Sequence, residues 1–316
     1  MKRSYYWLLL ICTVALTVYY ITESFDLSVL TNLTIENLSI LLFLSILPLF
    51  VFVFALRIFL GGMGYKSSLK SLYLIATSSL AANYTTPLRI GIPLRAYLYK
   101  KFLGIPLSRG TALLAIELFL EILLPAVISI FAIATLFTEY SLQIPLFMVF
   151  FLFIVFYVVV SIEPHKIKKV ISRLPFQNKL GRLLKFGANF REGVKIMDKK
   201  VLILFTLLLS LAYIVSAFQL YVILFILGIE INPIHLLYIN MISFTVGVIS
   251  MIPMGLGTRD ASLILLLLKL GVPNEVAVSA ALIQRILGTG LNFVLGAISA
   301  SSLGIRFLDQ KRFRAS

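Results

Sequence analysis

Cysteine is almost missing from this chain of 316 residues, and histidine nearly so. With Cys12 as the lone cysteine, no internal disulfide can form. His165 and His235 lie too far apart in sequence to seed a Cys/His metal site, so no metal and no cofactor is expected. Acidic residues are scarce too, 13 against 28 Lys and Arg, which leaves a net charge of +15. That sign would suit a nucleic-acid partner, but the basic residues lack the aromatic interleaving of such a surface. They gather instead at the ends of apolar runs and in one central loop. There is no ATP-binding motif.

What the chain has in abundance is apolar sequence. Hydrophobic residues fill 60% of positions and charged residues 13%, and several runs reach the roughly 18 residues needed to cross a bilayer. The pattern predicts six full spans, at Tyr5–Thr22, Leu38–Leu56, Gly110–Phe137, Ile144–Ile162, Val201–Leu227 and Val276–Leu303. Lys2 and Arg3 before the first span, with no small-residue cleavage site after it, read as an uncleaved signal anchor.

Two shorter stretches are interrupted. Leu72–Ala82 stops at Asn83-Tyr84-Thr85-Thr86-Pro87 and restarts at Leu88, reaching Lys100 and Lys101. Pro233–Ile252 and Leu256–Leu270 flank a break at Ser250 to Gly257. Each reads as a re-entrant hairpin of two part-length helices, with Pro87 and Gly91 in the first and Pro253, Gly255 and Gly257 in the second as hinge residues. Broken backbone at membrane depth survives only where protein buries it or a wet cavity meets it. The competing reading is a pair of tilted full spans in an eight-helix bundle.

Charge fixes the orientation. Of the 28 basic residues, 23 fall at the N-terminus, in 57–70, 100–109, 163–200 and the tail, which places these segments and both termini in the cytoplasm. The 163–200 loop holds 11 of them, with apolar residues at helical spacing, and reads as helix lying on anionic lipids of the inner leaflet. A solvated basic linker is the alternative. On this layout the first hairpin enters from the cytoplasm and the second from outside.

The two interrupted units also match in sequence. Pro87 and Gly91, then Gly104 and Pro106, correspond to Pro253 and Gly257, then Gly271 and Pro273, offset by 166 to 167 residues. This predicts an inverted repeat within one integral domain over 1–316, its units at about 67–137 and 233–304. Charges at membrane depth cost at least about 2.5–3.5 kcal/mol each and usually serve a purpose. Arg89, Glu117, Glu121, Arg259, Asp260 and Arg285 are the candidates. Together they predict a polar cavity in which arginines hold a phosphate and the carboxylates neutralise them when it is empty. The bland alternative is that Glu117 or Glu121 pairs with Arg285 to tie helices together. Arg95 is the outlier, able to snorkel to the cytoplasmic surface beside Lys100 and Lys101.

These residues resemble the membrane region of bacterial lysylphosphatidylglycerol synthase/flippases, a region also found as stand-alone proteins in bacteria and archaea. The likeness is most specific at Asn83 to Arg95, at Glu117 and Glu121, and at Pro253 to Asp260 followed by Arg285. Two positions depart from the family pattern: Ile92 replaces an acidic residue after the first glycine, and Asp260 replaces Glu. The resemblance implies translocation of a phospholipid or other polar lipid across a prokaryotic cell membrane, with membrane lipids as partners. It also implies that the aminoacyl-transferase domain of two-domain relatives is absent, so synthase activity is not expected. The other functions compatible with the sequence are a membrane-embedded transferase using a carboxylate as general base, and a non-transporting partner of a lipid-modifying enzyme.

Overall fold

A computed structural model describes residues 33–86, 90–136, 198–250 and 252–315. The described residues are helical apart from short turns. In chain order the helices are α1 (Ile35–Gly62), α2 (Leu69–Thr85), α3 (Gly91–Leu103), α4 (Leu107–Leu136), α5 (Lys199–Ile226), α6 (Pro233–Ile249), α7 (Thr258–Lys269), α8 (Asn274–Gln284) and α9 (Leu291–Ala315). A 3-10 turn, Pro253–Gly255, lies between α6 and α7, and a π turn, Arg285–Gly290, joins α8 to α9.

Side chains cap the helix starts as the sequence requires. Thr34, Ser68, Asp198 and Asn232 each accept a backbone N–H from the first turn of α1, α2, α5 and α6, satisfying donors that have no partner within the helix. Four helices are long and apolar enough to cross a membrane: α1, α4, α5 and the continuous run Asn274–Gly304. They match four of the expected spans. The other two, Tyr5–Thr22 and Ile144–Ile162, lie outside the described residues, as does most of the 163–200 loop. Large apolar side chains stand exposed in stripes along α1 (Phe43, Phe50, Phe54) and α5 (Ile203, Leu207, Ile214, Phe218). In a multi-pass membrane protein these stripes meet lipid tails rather than water.

The interrupted segments differ from expectation in extent. The first arm of the first pair runs to Thr85, past the expected stop at Asn83, because hydroxyls continue the helix: Thr85 Oγ1 donates to the Ala81 carbonyl at 3.1 Å, and Thr86 to that of Ala82. The first arm of the second pair stops at Ile249, one turn early, where Ser250 turns toward Gly247 and Thr258. The arms of the two pairs are 17 and 13, then 17 and 12 residues long.

Packing follows a reciprocal plan. α1 lies along α5, with Phe59 stacked on Phe205 at 4.4 Å. α2 packs on α9, and α6 packs on α4. One apolar core joins α1 to α4, with Phe205 and Leu209 lent by α5. A second joins the end of α5 to α8, with Leu41 lent by α1. Gly91 shows how tight the first pair is. A Cβ there would stand 1.9 Å from the Ser79 carbonyl oxygen, so only glycine lets α3 approach α2 this closely.

Candidate functional site

In the first pair, Arg95 on α3 reaches across to Glu117 on α4. The guanidinium donates to Glu117 Oε1 and, through Nε, to Ser79 Oγ on α2 at 2.7 Å. It also covers the Phe52 ring of α1, with 5.4 Å from Cζ to the centroid. The two side chains are 2% and 4% exposed. Arg95 therefore does not snorkel outward. Its partner is Glu117, so the alternative pairing of Glu117 with Arg285 does not form. Leaving either charge alone in such a place would be costly, and four helices meet on this one pair.

Glu121 lies one turn further along α4 and is only half-buried. Its carboxyl is within hydrogen-bonding reach of that of Glu117. Its backbone carbonyl has a separate story. Pro125, four residues on, has no N–H to offer it. The Tyr213 hydroxyl of α5 donates to it instead, at 3.1 Å. The proline inside α4 is thus matched by a tyrosine from another helix.

The second break carries the other charges. Met254 adopts φ 60°, the left-handed region that non-glycine residues seldom enter, and Gly255 follows at the same φ. A Cβ on Gly255 would lie 2.8 Å from the Gly247 Cα, so the turn presses directly on α6. Arg285, at the start of the π turn, donates through Nη1 to the Met254 carbonyl at 3.1 Å. Its Nη2 lies 3.0 Å from Asp260 Oδ2. The same Asp260 oxygen accepts the Gly257 N–H at 3.2 Å, capping α7. Arg259 points elsewhere, over the Phe244 ring of α6 at 5.7 Å.

Tyr84, near the end of α2, joins the two sets. It lies against Asn292 of α9 and within electrostatic range of Glu121, Arg259 and Arg285. Arg259, Asp260, Arg285, Glu121, Tyr84 and Asn292 are all half-buried, neither sealed in the core nor on the outer face. The structure thus gathers four of the seven intramembrane candidates, Glu121, Arg259, Asp260 and Arg285, around the helix breaks, with the Arg95–Glu117 pair sealed behind them. Arg89 and Pro87 lie outside the described residues. Sequence reading missed Tyr84, Tyr213, Asn292 and Phe244. Tyr84 lies within the first break, where the sequence pattern marks the backbone interruption and gives no sign of a polar group at depth. Among the described residues, no group of three or more His, Cys, Asp or Glu side chains could hold a metal ion.

The family model described as the lysylphosphatidylglycerol synthase TM region matches residues 7–296. A protein of Methanothermobacter thermautotrophicus described as a UPF0104 membrane protein is 29% identical over 102 residues. The alignment covers 32% of this chain and 30% of that protein.

Proposed function

This chain belongs to the family of the lysylphosphatidylglycerol synthase membrane region, and from that premise we propose that it translocates a lipid with a polar or anionic headgroup across the cell membrane. Its path runs between two helix-break units of opposite orientation, past Tyr84, Glu121, Arg259 and Arg285. Both termini face the cytoplasm, and the basic 163–200 loop rests on anionic lipids of the inner leaflet.

The observation that carries this reading is the convergence of charged and polar groups from both units on one half-open region at the two breaks. Charges there are too costly to serve packing alone, and two sealed pairs would tie the helices with fewer. Reciprocal packing supports the inverted repeat. The contact of α2 with α9 brings Thr77 against Gly296, and that of α6 with α4 brings Thr245 to Ser129 at 3.0 Å. Thr245 comes 168 residues after Thr77, and Gly296 comes 167 after Ser129, close to the offset of the Pro and Gly matches. Two units related by a pseudo-two-fold axis must repeat each cross-contact in this way, and units that can exchange roles provide alternating access.

A transferase reading needs a carboxylate available as general base. Of the three carboxylates that could serve, Glu117 and Asp260 are each engaged by an arginine and Glu121 is within hydrogen-bonding reach of Glu117, which favours transport over chemistry. Purified protein in proteoliposomes, assayed with headgroup-labelled lipids, tests the proposal. Accelerated movement of a labelled lipid, lost in Arg285→Ala with folding intact, is the expected result. No movement of any phospholipid or glycolipid tested, by well-folded protein, would refute it.

A further inference from the structure

Asp260 and Arg259 are neighbours in sequence, yet their situations are opposite. One oxygen of the Asp260 carboxylate serves twice: Oδ2 caps α7 through the Gly257 N–H and sits 3.0 Å from Arg285 Nη2. Among the described residues the Arg259 guanidinium makes no ion pair or hydrogen bond; it lies over the face of Phe244 and is attracted by Asp260 only at longer range. Arg259 and Arg285 are close enough to repel each other. Two like charges at membrane depth share one carboxylate, and the carboxylate goes to Arg285.

The Asp260–Arg285 pair is itself incomplete. It meets the distance of an ion pair, but Nη2 is buried without a properly aligned hydrogen bond. Arg285 is otherwise anchored by its Nη1 bond to Met254, so its second nitrogen is left enclosed beside Asp260 with its hydrogen-bonding capacity unspent. The first unit offers a contrast. Arg95 bonds both Glu117 and Ser79, and the pair is sealed, whereas Arg285 and Asp260 are 14% and 15% exposed. The place held by Asp260 is also where an external anion would be favoured, at the N-terminus of a 12-residue helix with two guanidinium groups beside it.

Resting on the translocation reading, we propose that Asp260 is a built-in anion that occupies Arg285 when no substrate is bound. A phosphate-bearing lipid headgroup displaces it and bridges Arg285 to Arg259. One phosphate offers acceptor oxygens to both guanidinium groups, which a single aspartate in this geometry does not. Because the Oδ2 that faces Arg285 also accepts the Gly257 N–H, the exchange turns the Arg285 Nη2 toward the phosphate and leaves Asp260 in place as the cap of α7. Tyr84 and Asn292, on the far side, supply neutral polar groups for the rest of the headgroup. An uncharged glycolipid has nothing to exchange with Asp260 and gains nothing from Arg259.

The test measures binding separately from transport, in nanodiscs of an inert lipid titrated with phosphatidylglycerol, with an uncharged diglycosyl lipid, or with inorganic phosphate alone. Asp260→Asn keeps the cap and removes the internal charge, and it should tighten phosphatidylglycerol binding roughly tenfold. Arg259→Gln should weaken it roughly tenfold, in the wild-type and the Asp260→Asn backgrounds alike. Arg259→Lys, which keeps the charge without the fork, should fall between them and covers the case of poor folding by the glutamine variant. The uncharged lipid should not respond to either change. Unchanged or weaker phosphatidylglycerol binding by Asp260→Asn would overturn the proposal, as would full binding by Arg259→Gln. So would a response confined to inorganic phosphate. The expected binding pattern without lipid movement in proteoliposomes would instead refute translocation and leave the anion site standing.

Discussion

The Arg95 guanidinium donates to the Glu117 carboxylate across the turn joining α3 to α4, with both side chains almost wholly enclosed. In the second unit, Asp260 on α7 faces Arg285 beyond the turn to α8. Each unit therefore ties the second arm of its broken pair to the helix run that follows, with the signs of charge reversed. One tie is sealed and the other is open. The sealed one is predicted to carry stability, and the open one lies on the path proposed for the lipid.

Removing one partner of the sealed pair should be severe. Glu117→Gln leaves Arg95 without a counter-charge and should lower unfolding stability by about 3–5 kcal/mol. Replacing both residues, Arg95→Met with Glu117→Leu, should recover most of that loss, because apolar groups of similar volume carry no desolvation cost. Thermal or denaturant unfolding in detergent checks it, and additive losses in the double variant would contradict a direct pair.

Pro125 and Tyr213 should be coupled through the Glu121 carbonyl, which one leaves without a donor and the other supplies. Tyr213→Phe strips the Glu121 carbonyl of its donor and should cost about 1–3 kcal/mol. Pro125→Ala restores a backbone N–H at that carbonyl, so the tyrosine substitution should cost far less in that background. A double-mutant cycle on unfolding free energy reads this, and equal losses in both backgrounds would refute it.

Close helix approach predicts a sharp contrast between two glycines. Gly91→Ala drives a methyl group into the Ser79 carbonyl, and folded yield should collapse. Gly61→Ala, where a Cβ meets nothing within 4 Å, should be neutral or stabilising by roughly 0.5–1 kcal/mol. Size-exclusion yield and melting temperature compare the two.

The left-handed Met254 gives a backbone test. Met254→Gly should leave melting unchanged or raise it, while Met254→Val should destabilise by roughly 1–3 kcal/mol because a β-branched residue resists positive φ. If valine is tolerated as well as glycine, the turn is not held as described.

Much of this was legible in the sequence, and the reasons differ by feature. The spans at α1, α4, α5 and Asn274–Gly304 followed from run length and from basic residues at their ends. The breaks followed from Pro253, Gly255 and Gly257, because backbone preference is local. Partner choice was not legible. Arg95 and Glu117 are 22 residues apart across a turn, and no periodicity says that α3 folds back so that they meet. Arg95 looked able to snorkel because Lys100 and Lys101 follow it, yet Gly91 brings α3 onto α2 tightly enough to bury it. Tyr84 was overlooked for a related reason. A residue in a break is read for its effect on the backbone, while its side chain meets groups over 150 residues away.

The account depends most on the two broken units entering the membrane from opposite faces. In a Cys12→Ser background, single cysteines in place of Lys101 and Asn274 mark the end of α3 and the start of α8. A membrane-impermeant thiol reagent applied to intact cells should label the cysteine at 274 and leave that at 101 unlabelled until the membrane is opened. Labelling of both positions from the same side would contradict the inverted repeat, and with it the path proposed for the lipid.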